Sequence, residues 1–81
     1  MIELNEEEIN NIKIKVKYFF DNCSAVHITL QNERWTNGII LELKENCFVI
    51  KDYKEGNQLI FYSDVYDIRS YVEKEKVRKN E

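Results

Sequence analysis

The spacing of apolar residues changes once along this chain, and that change constrains the fold more than any other feature. Ile9, Ile12, Val16, Phe19 and Phe20 recur at intervals of three and four, the spacing that lines one face of an α-helix. After Asp21-Asn22 the interval becomes two: Val26, Ile28 and Leu30 alternate with His27, Thr29 and Gln31, as in a strand with one covered face. No second helical stretch separates the strands that follow, which excludes a parallel sheet with crossover helices. One amphipathic helix must therefore lie on an antiparallel sheet.

Local signals place the elements. Asn5 with Glu8 three residues later reads as a capping box, and Glu6, Glu7 and Glu8 sit where the helix dipole favours negative charge. The helix is predicted over about 6–21, ending at the turn-prone Asp21-Asn22. Strands are predicted over 26–31, 35–44, 47–51, 58–63 and 65–71, with 52–57, which holds Gly56, as a loop. Ile39-Ile40-Leu41 breaks the alternation of the second strand, and Gly38 just before it suggests a bend with both faces covered. Ser63-Asp64 is too short for a hairpin loop and predicts a tight corner. Five short, strongly bent strands suit a small closed or nearly closed barrel, which hides strand edges, with the helix over one end or face. An open five-stranded sheet carrying the helix on one side is the alternative. The class is mostly β either way.

Composition narrows the function. The chain has 81 residues, 43% of them hydrophobic, enough for one core and one domain, here 1–72. The charged stretch 73–81 has Val77 as its one apolar residue and reads as a tail. No apolar run approaches the roughly 18 residues of a spanning helix, and the acidic start predicts no secretory signal. A cytoplasmic location is expected, with Cys23 and Cys47 as unpaired packing residues. One His, two Cys without a CxxC, and two isolated Gly build neither a metal set nor a phosphate loop. No cofactor and no catalytic residue is predicted, and the chain is not expected to be an enzyme. A formal charge of −3 excludes a globally basic coat but permits a local basic site.

Val26-His27-Ile28-Thr29-Leu30, a polar turn and then Asn37-Gly38-Ile39-Ile40, followed by Gln58 through Ile68 around the Ser63-Asp64 corner, resemble the two motifs of the Sm-like superfamily (Sm, LSm and Hfq proteins). The resemblance spans about residues 15–71. It implies an N-terminal helix, a strongly bent five-stranded antiparallel sheet forming a small SH3-like barrel, and a homo-oligomeric ring of five to eight copies. It further implies that the fourth strand of one copy pairs with the fifth of the next, so Leu59, Ile60, Phe61, Tyr62, Val65, Tyr66 and Ile68 are the expected interface. Family members bind single-stranded RNA or ribonucleoprotein partners. This chain departs from them in the loop after the bent strand, Lys44-Glu45-Asn46, where only Asn46 matches a uridine-pocket residue. It departs again at the last corner, where Tyr62-Ser63-Asp64 replaces a basic pair.

The residues themselves offer Lys13, Lys15 and Lys17 on the helix, with Arg34 and Lys44, as a basic cluster that a ring would repeat into a positive annulus. Asn10 and Asn11 can hydrogen-bond bases, and Trp35, Tyr53 and Tyr62 are candidate stacking rings. The expected function is therefore non-catalytic RNA or ribonucleoprotein binding by a ring. A different class of function fits the same barrel: an SH3-like scaffold that grips a protein partner with Trp35 and the tyrosines.

Overall fold

The computed structural model describes residues 4–71. Helix α1 (Glu6–Asp21) precedes strands β1 (Ala25–Leu30), β2 (Trp35–Leu43), β3 (Cys47–Asp52), β4 (Gly56–Phe61) and β5 (Val65–Ser70), with a single 3₁₀ turn, Tyr62–Asp64, between β4 and β5. The helix has the predicted limits, and its start has the predicted chemistry. Asn5 Oδ1 accepts from the Glu8 amide at 2.8 Å while Glu8 Oε1 accepts from the Asn5 amide at 3.0 Å. The predicted tail, 73–81, lies outside the described residues.

The five strands form one antiparallel sheet in the order β4-β3-β2-β1-β5. Consecutive strands β4 and β5 thus occupy opposite edges, joined by three residues. Flat, five strands would hold those edges about 19 Å apart, whereas the chain from Phe61 to Val65 reaches at most about 14 Å. The sheet must therefore curl until its edges approach. Cross-connections mark the approach: the Gln31 amide donates to the Asp64 carbonyl at 2.8 Å and the Tyr62 amide to the Asn46 carbonyl at 3.1 Å.

The curl stops short of closure. β4 pairs only with β3, and β5 only with β1, so the mostly β class with one helix and five antiparallel strands is as expected, and of the closed or nearly closed barrel only closure is corrected: the sheet is open and strongly bent. Two devices bend it. A bulge between Ile40 and Glu42 lets β2 slip one residue against β3, which accounts for the broken alternation at Ile39-Ile40-Leu41. The other is Gly38, where a Cβ would lie 2.0 Å from the Lys51 carbonyl oxygen and 2.7 Å from its carbon. Only glycine admits so close an approach of β3.

The concave face holds the core. Val26, Ile28, Ile40, Phe48, Ile50, Ile60, Val65 and Ile68 are buried with Tyr62 and with Val16 of α1, and Ile9, Ile12, Phe19, Phe20, Leu30 and Leu43 pack against them. These helix residues are the predicted stripe. They seat α1 against β2, β5 and the 3₁₀ turn.

Three local expectations change. The loop predicted over 52–57 is a three-residue turn, because β3 extends to Asp52 and β4 begins at Gly56 (φ +85°). Asp52 builds that turn: its Oδ1 accepts the amides of Lys54 at 2.7 Å and Glu55 at 2.8 Å. The fourth strand ends at Phe61, since Tyr62 already belongs to the corner. Cys23 is exposed rather than packed, because it takes φ 53° in the chain reversal after α1, while Cys47 is half-buried.

Candidate functional site

The curl assembles one site from three separated segments. The β2–β3 turn (44–46), the 3₁₀ turn and the middle of α1 meet around Tyr62. The Tyr62 ring is buried and packs on Phe48 with centroids 5.3 Å apart. Its hydroxyl donates to the Lys44 carbonyl at 3.2 Å, and the Lys13 ammonium sits 5.4 Å above the ring centroid. Burial, with a smaller contribution from Cys47, holds the Tyr62 hydroxyl above its ordinary value of 10.0, so the neutral phenol persists as a donor. A cleft of about 180 Å³ opens here, lined by Ile9, Lys13, Asn46, Phe61, Tyr62 and Ser63.

Of the residues singled out in the sequence, Lys13, Lys44, Asn46 and Tyr62 thus come together. Lys13 offers a cation, Asn46 an exposed amide and Ser63 a hydroxyl beside an apolar wall, a combination suited to a phosphate or base edge. Tyr62 supports this cleft from beneath rather than offering a free ring for stacking, because core packing occupies its face. Lys15 and Lys17 are exposed on α1, and Lys17 is paired with Asp21 at 2.8 Å. Lys44 lies 3.4 Å from Glu42. Arg34 stands apart, on the rim of a second cleft of about 230 Å³ with Trp35, Asp52, Glu55 and Gln58. Within it, Asp52 accepts from the Thr36 hydroxyl. That bond is the largest influence on Asp52. With the amides of Glu55, Lys54 and Asn37, it outweighs partial burial and holds the carboxyl below its ordinary 3.8.

The expected interface residues divide in two. Ile60, Tyr62, Val65 and Ile68 are buried in the chain's own core, so their side chains are not available to another copy. Leu59, Phe61 and Tyr66 are 54%, 47% and 65% exposed, on the two unpaired edge strands.

On the convex face the register places His27 opposite Asn37 and opposite Arg69, and Thr29 opposite Trp35. His27 donates its Nδ1–H to Asn37 Oδ1 and its ring lies 5.9 Å from that of Trp35. Tyr53 and Tyr71 form a second ring pair at 6.0 Å. Trp35 and Tyr53 are more than half exposed, whereas Arg69 is neutralised by Asp67 at 2.9 Å. Tyr71 had no individual signal for this surface. The alternation of β1 put His27 on the convex face, but only the register shows which rings adjoin it.

Among the described residues there is no group of three His, Cys, Asp or Glu able to hold a metal ion, and no helix is long and apolar enough to cross a membrane. Compared with known proteins, the chain matches no family model and no curated protein sequence.

Proposed function

We propose that this chain is a non-catalytic subunit of a homo-oligomeric ring of five to eight copies, resembling Sm-like proteins, that binds single-stranded RNA or a ribonucleoprotein partner. One observation carries the reading. The sheet is open, and both free edges bear exposed apolar side chains, Leu59 and Phe61 on β4 and Tyr66 on β5. Unpaired edges of this kind are templates for further strand pairing. The two edges differ from one another, so β4 of one copy meeting β5 of the next is a heterologous contact, which closes into a ring when the rotation allows. Support for RNA comes from the cleft around Lys13, Asn46 and Ser63, which a ring would repeat on one face, and from the exposed rings of Trp35 and Tyr53.

Native mass spectrometry at low salt tests the assembly: five to eight copies are expected, and a monomer at all concentrations overturns the ring. Fluorescence anisotropy with a labelled single-stranded oligoribonucleotide tests the RNA. Replacing Lys13, Lys15 and Lys17 with Gln is expected to abolish binding and flatten its salt dependence. Absence of binding by the unaltered protein favours the second reading, a protein-interaction module. That reading draws on the convex ring cluster, whose Trp, Tyr and Arg content is typical of protein interface hot spots and whose one arginine is already paired.

A further inference from the structure

Alternate residues of β2, β3 and β4 face the concave core, and at one end of the sheet that inward set turns polar. Ile40, Ile50 and Ile60 are buried. Continuing along the same side of each strand come Thr36 on β2, Asp52 on β3 and Gln58 on β4. Among the described residues nothing covers this end, where Gln58 is exposed. The cleft of about 230 Å³ opens there, with Leu30 and Ile60 as its apolar base. It is smaller than the roughly 300–1,000 Å³ of sites for drug-sized molecules, so its occupant is compact.

Two walls meet in this cleft. Arg34, at the end of the β1–β2 turn, belongs to one, and Asp52 and Glu55, at the β3–β4 turn, belong to the other. The Thr36 hydroxyl donates to Asp52 and so ties the walls together at the floor. Asp52 is already engaged: that hydroxyl and the amides of Lys54 and Glu55 fill three of the about four acceptor positions of a carboxylate. Arg34 and Glu55 have no ion-pair partner among the described residues. The neighbouring Glu33, Lys51 and Lys54 are exposed and line no part of the cleft.

We propose that this cleft binds a free α-amino acid with an apolar side chain. The Arg34 guanidinium takes its carboxylate, in the forked geometry that suits that pair. Glu55, with the last acceptor position of Asp52, takes its ammonium, and its side chain lies on Leu30 and Ile60. Asp52 is ionised at neutral pH, since its carboxyl titrates below its ordinary 3.8. An anion alone would meet the two carboxylates, and a cation alone the guanidinium. A ligand with both charges one carbon apart satisfies both walls, whereas either end of a polypeptide carries only one of them. The site is separate from the cleft around Lys13 and requires neither a ring nor RNA.

Amide chemical-shift titration of the nitrogen-15-labelled chain tests it, with L-valine, L-leucine, L-isoleucine, L-methionine and L-phenylalanine as probes. At least one should move the resonances of Thr36, Glu55 and Gln58 to saturation. For the tightest binder, the corresponding amine without the carboxyl and the acid without the amino group should each bind at least about tenfold more weakly. Arg34→Gln should weaken the amino acid and the acid by a similar factor and leave the amine unaffected. Glu55→Gln should weaken the amino acid and the amine and leave the acid unaffected. Both positions are exposed, and circular dichroism verifies the fold of each variant. No saturable shift with any of the five amino acids overturns the proposal, as does an amine or acid that binds as tightly as its parent. Unchanged amino-acid affinity in Arg34→Gln/Glu55→Gln overturns it too. A single-stranded oligoribonucleotide that moves these resonances when no amino acid does overturns it and assigns the cleft to RNA. Loss of RNA binding on replacing Lys13, Lys15 and Lys17, or failure to form a ring, leaves these expectations unchanged.

Discussion

Gly38→Ala isolates the feature on which the curl of the sheet depends. The added methyl would stand 2.0 Å from the Lys51 carbonyl oxygen, 2.7 Å from its carbon and 3.0 Å from the Asp52 Cα, all backbone atoms. Ordinary contact begins near 3.4 Å, so β3 must retreat by about 1.4 Å (3.4 less 2.0) where Gly38 pairs with Asp52. That retreat loosens the adjoining ladder bonds and the turn that Asp52 organises. Overpacking of this kind costs about 1–3 kcal/mol, and a rigid backbone neighbour puts this case at the upper end. Restricting the unfolded chain returns about 0.4–1 kcal/mol, leaving a net loss of about 2–2.6 kcal/mol. At about 4–8 °C per kcal/mol for a domain of this size, the melting temperature should fall by about 8–21 °C. Gly56→Ala is the internal comparison. Its Cβ meets nothing within 4 Å and only the φ of +85° is unfavourable, so the loss should be about 1–2 kcal/mol. Thermal unfolding followed by circular dichroism measures both. A Gly38→Ala protein as stable as the parent, or less affected than Gly56→Ala, would refute the close-approach argument.

Asn5→Ala removes the acceptor for the Glu8 amide and should cost about 0.5–2 kcal/mol, read as a lower urea midpoint with an unchanged slope. Phe48→Ala empties the centre of the concave core, where the ring is fully buried against Tyr62, and should cost about 3–5 kcal/mol in the same assay. Tyr62→Phe deletes the hydroxyl bond to the Lys44 carbonyl and should cost about 0.5–1.5 kcal/mol, with the β2–β3 turn exchanging amide hydrogens faster than in the parent. Asp52 predicts a pH dependence. Its folded-state carboxyl titrates below its ordinary 3.8, so its contribution is present above about that pH and is lost as pH falls toward the folded-state value. The stability gap between parent and Asp52→Asn should therefore narrow between pH 5 and pH 2, and a gap constant over that range would contradict the assignment.

The sequence by itself determined what depends on near neighbours. A capping box needs two residues three apart, and a helix face needs a repeat of three and four, so Asn5, Glu8 and the stripe from Ile9 to Phe20 fixed α1 to within its observed ends. Alternation likewise located five strands and most of the core, because a side chain's face in a strand follows from parity alone. Of the candidate site, the identities of Lys13, Lys44, Asn46 and Tyr62 were legible, but not their meeting.

Tertiary structure decided that meeting, since it needs a corner of three residues to carry the chain from one sheet edge to the other. Whether the edges then bond to each other depends on the total bend, and the bend is set by Gly38 and the β2 bulge acting across strands. Parity cannot reveal either a backbone approach or a slipped register. For the same reason Tyr62 resembled a free ring beside Trp35 and Tyr53 until the corner turned it onto Phe48. Periodicity did not set Ile14 and Tyr18 apart, because only packing distinguishes the apolar side chains that find a core from those left facing solvent.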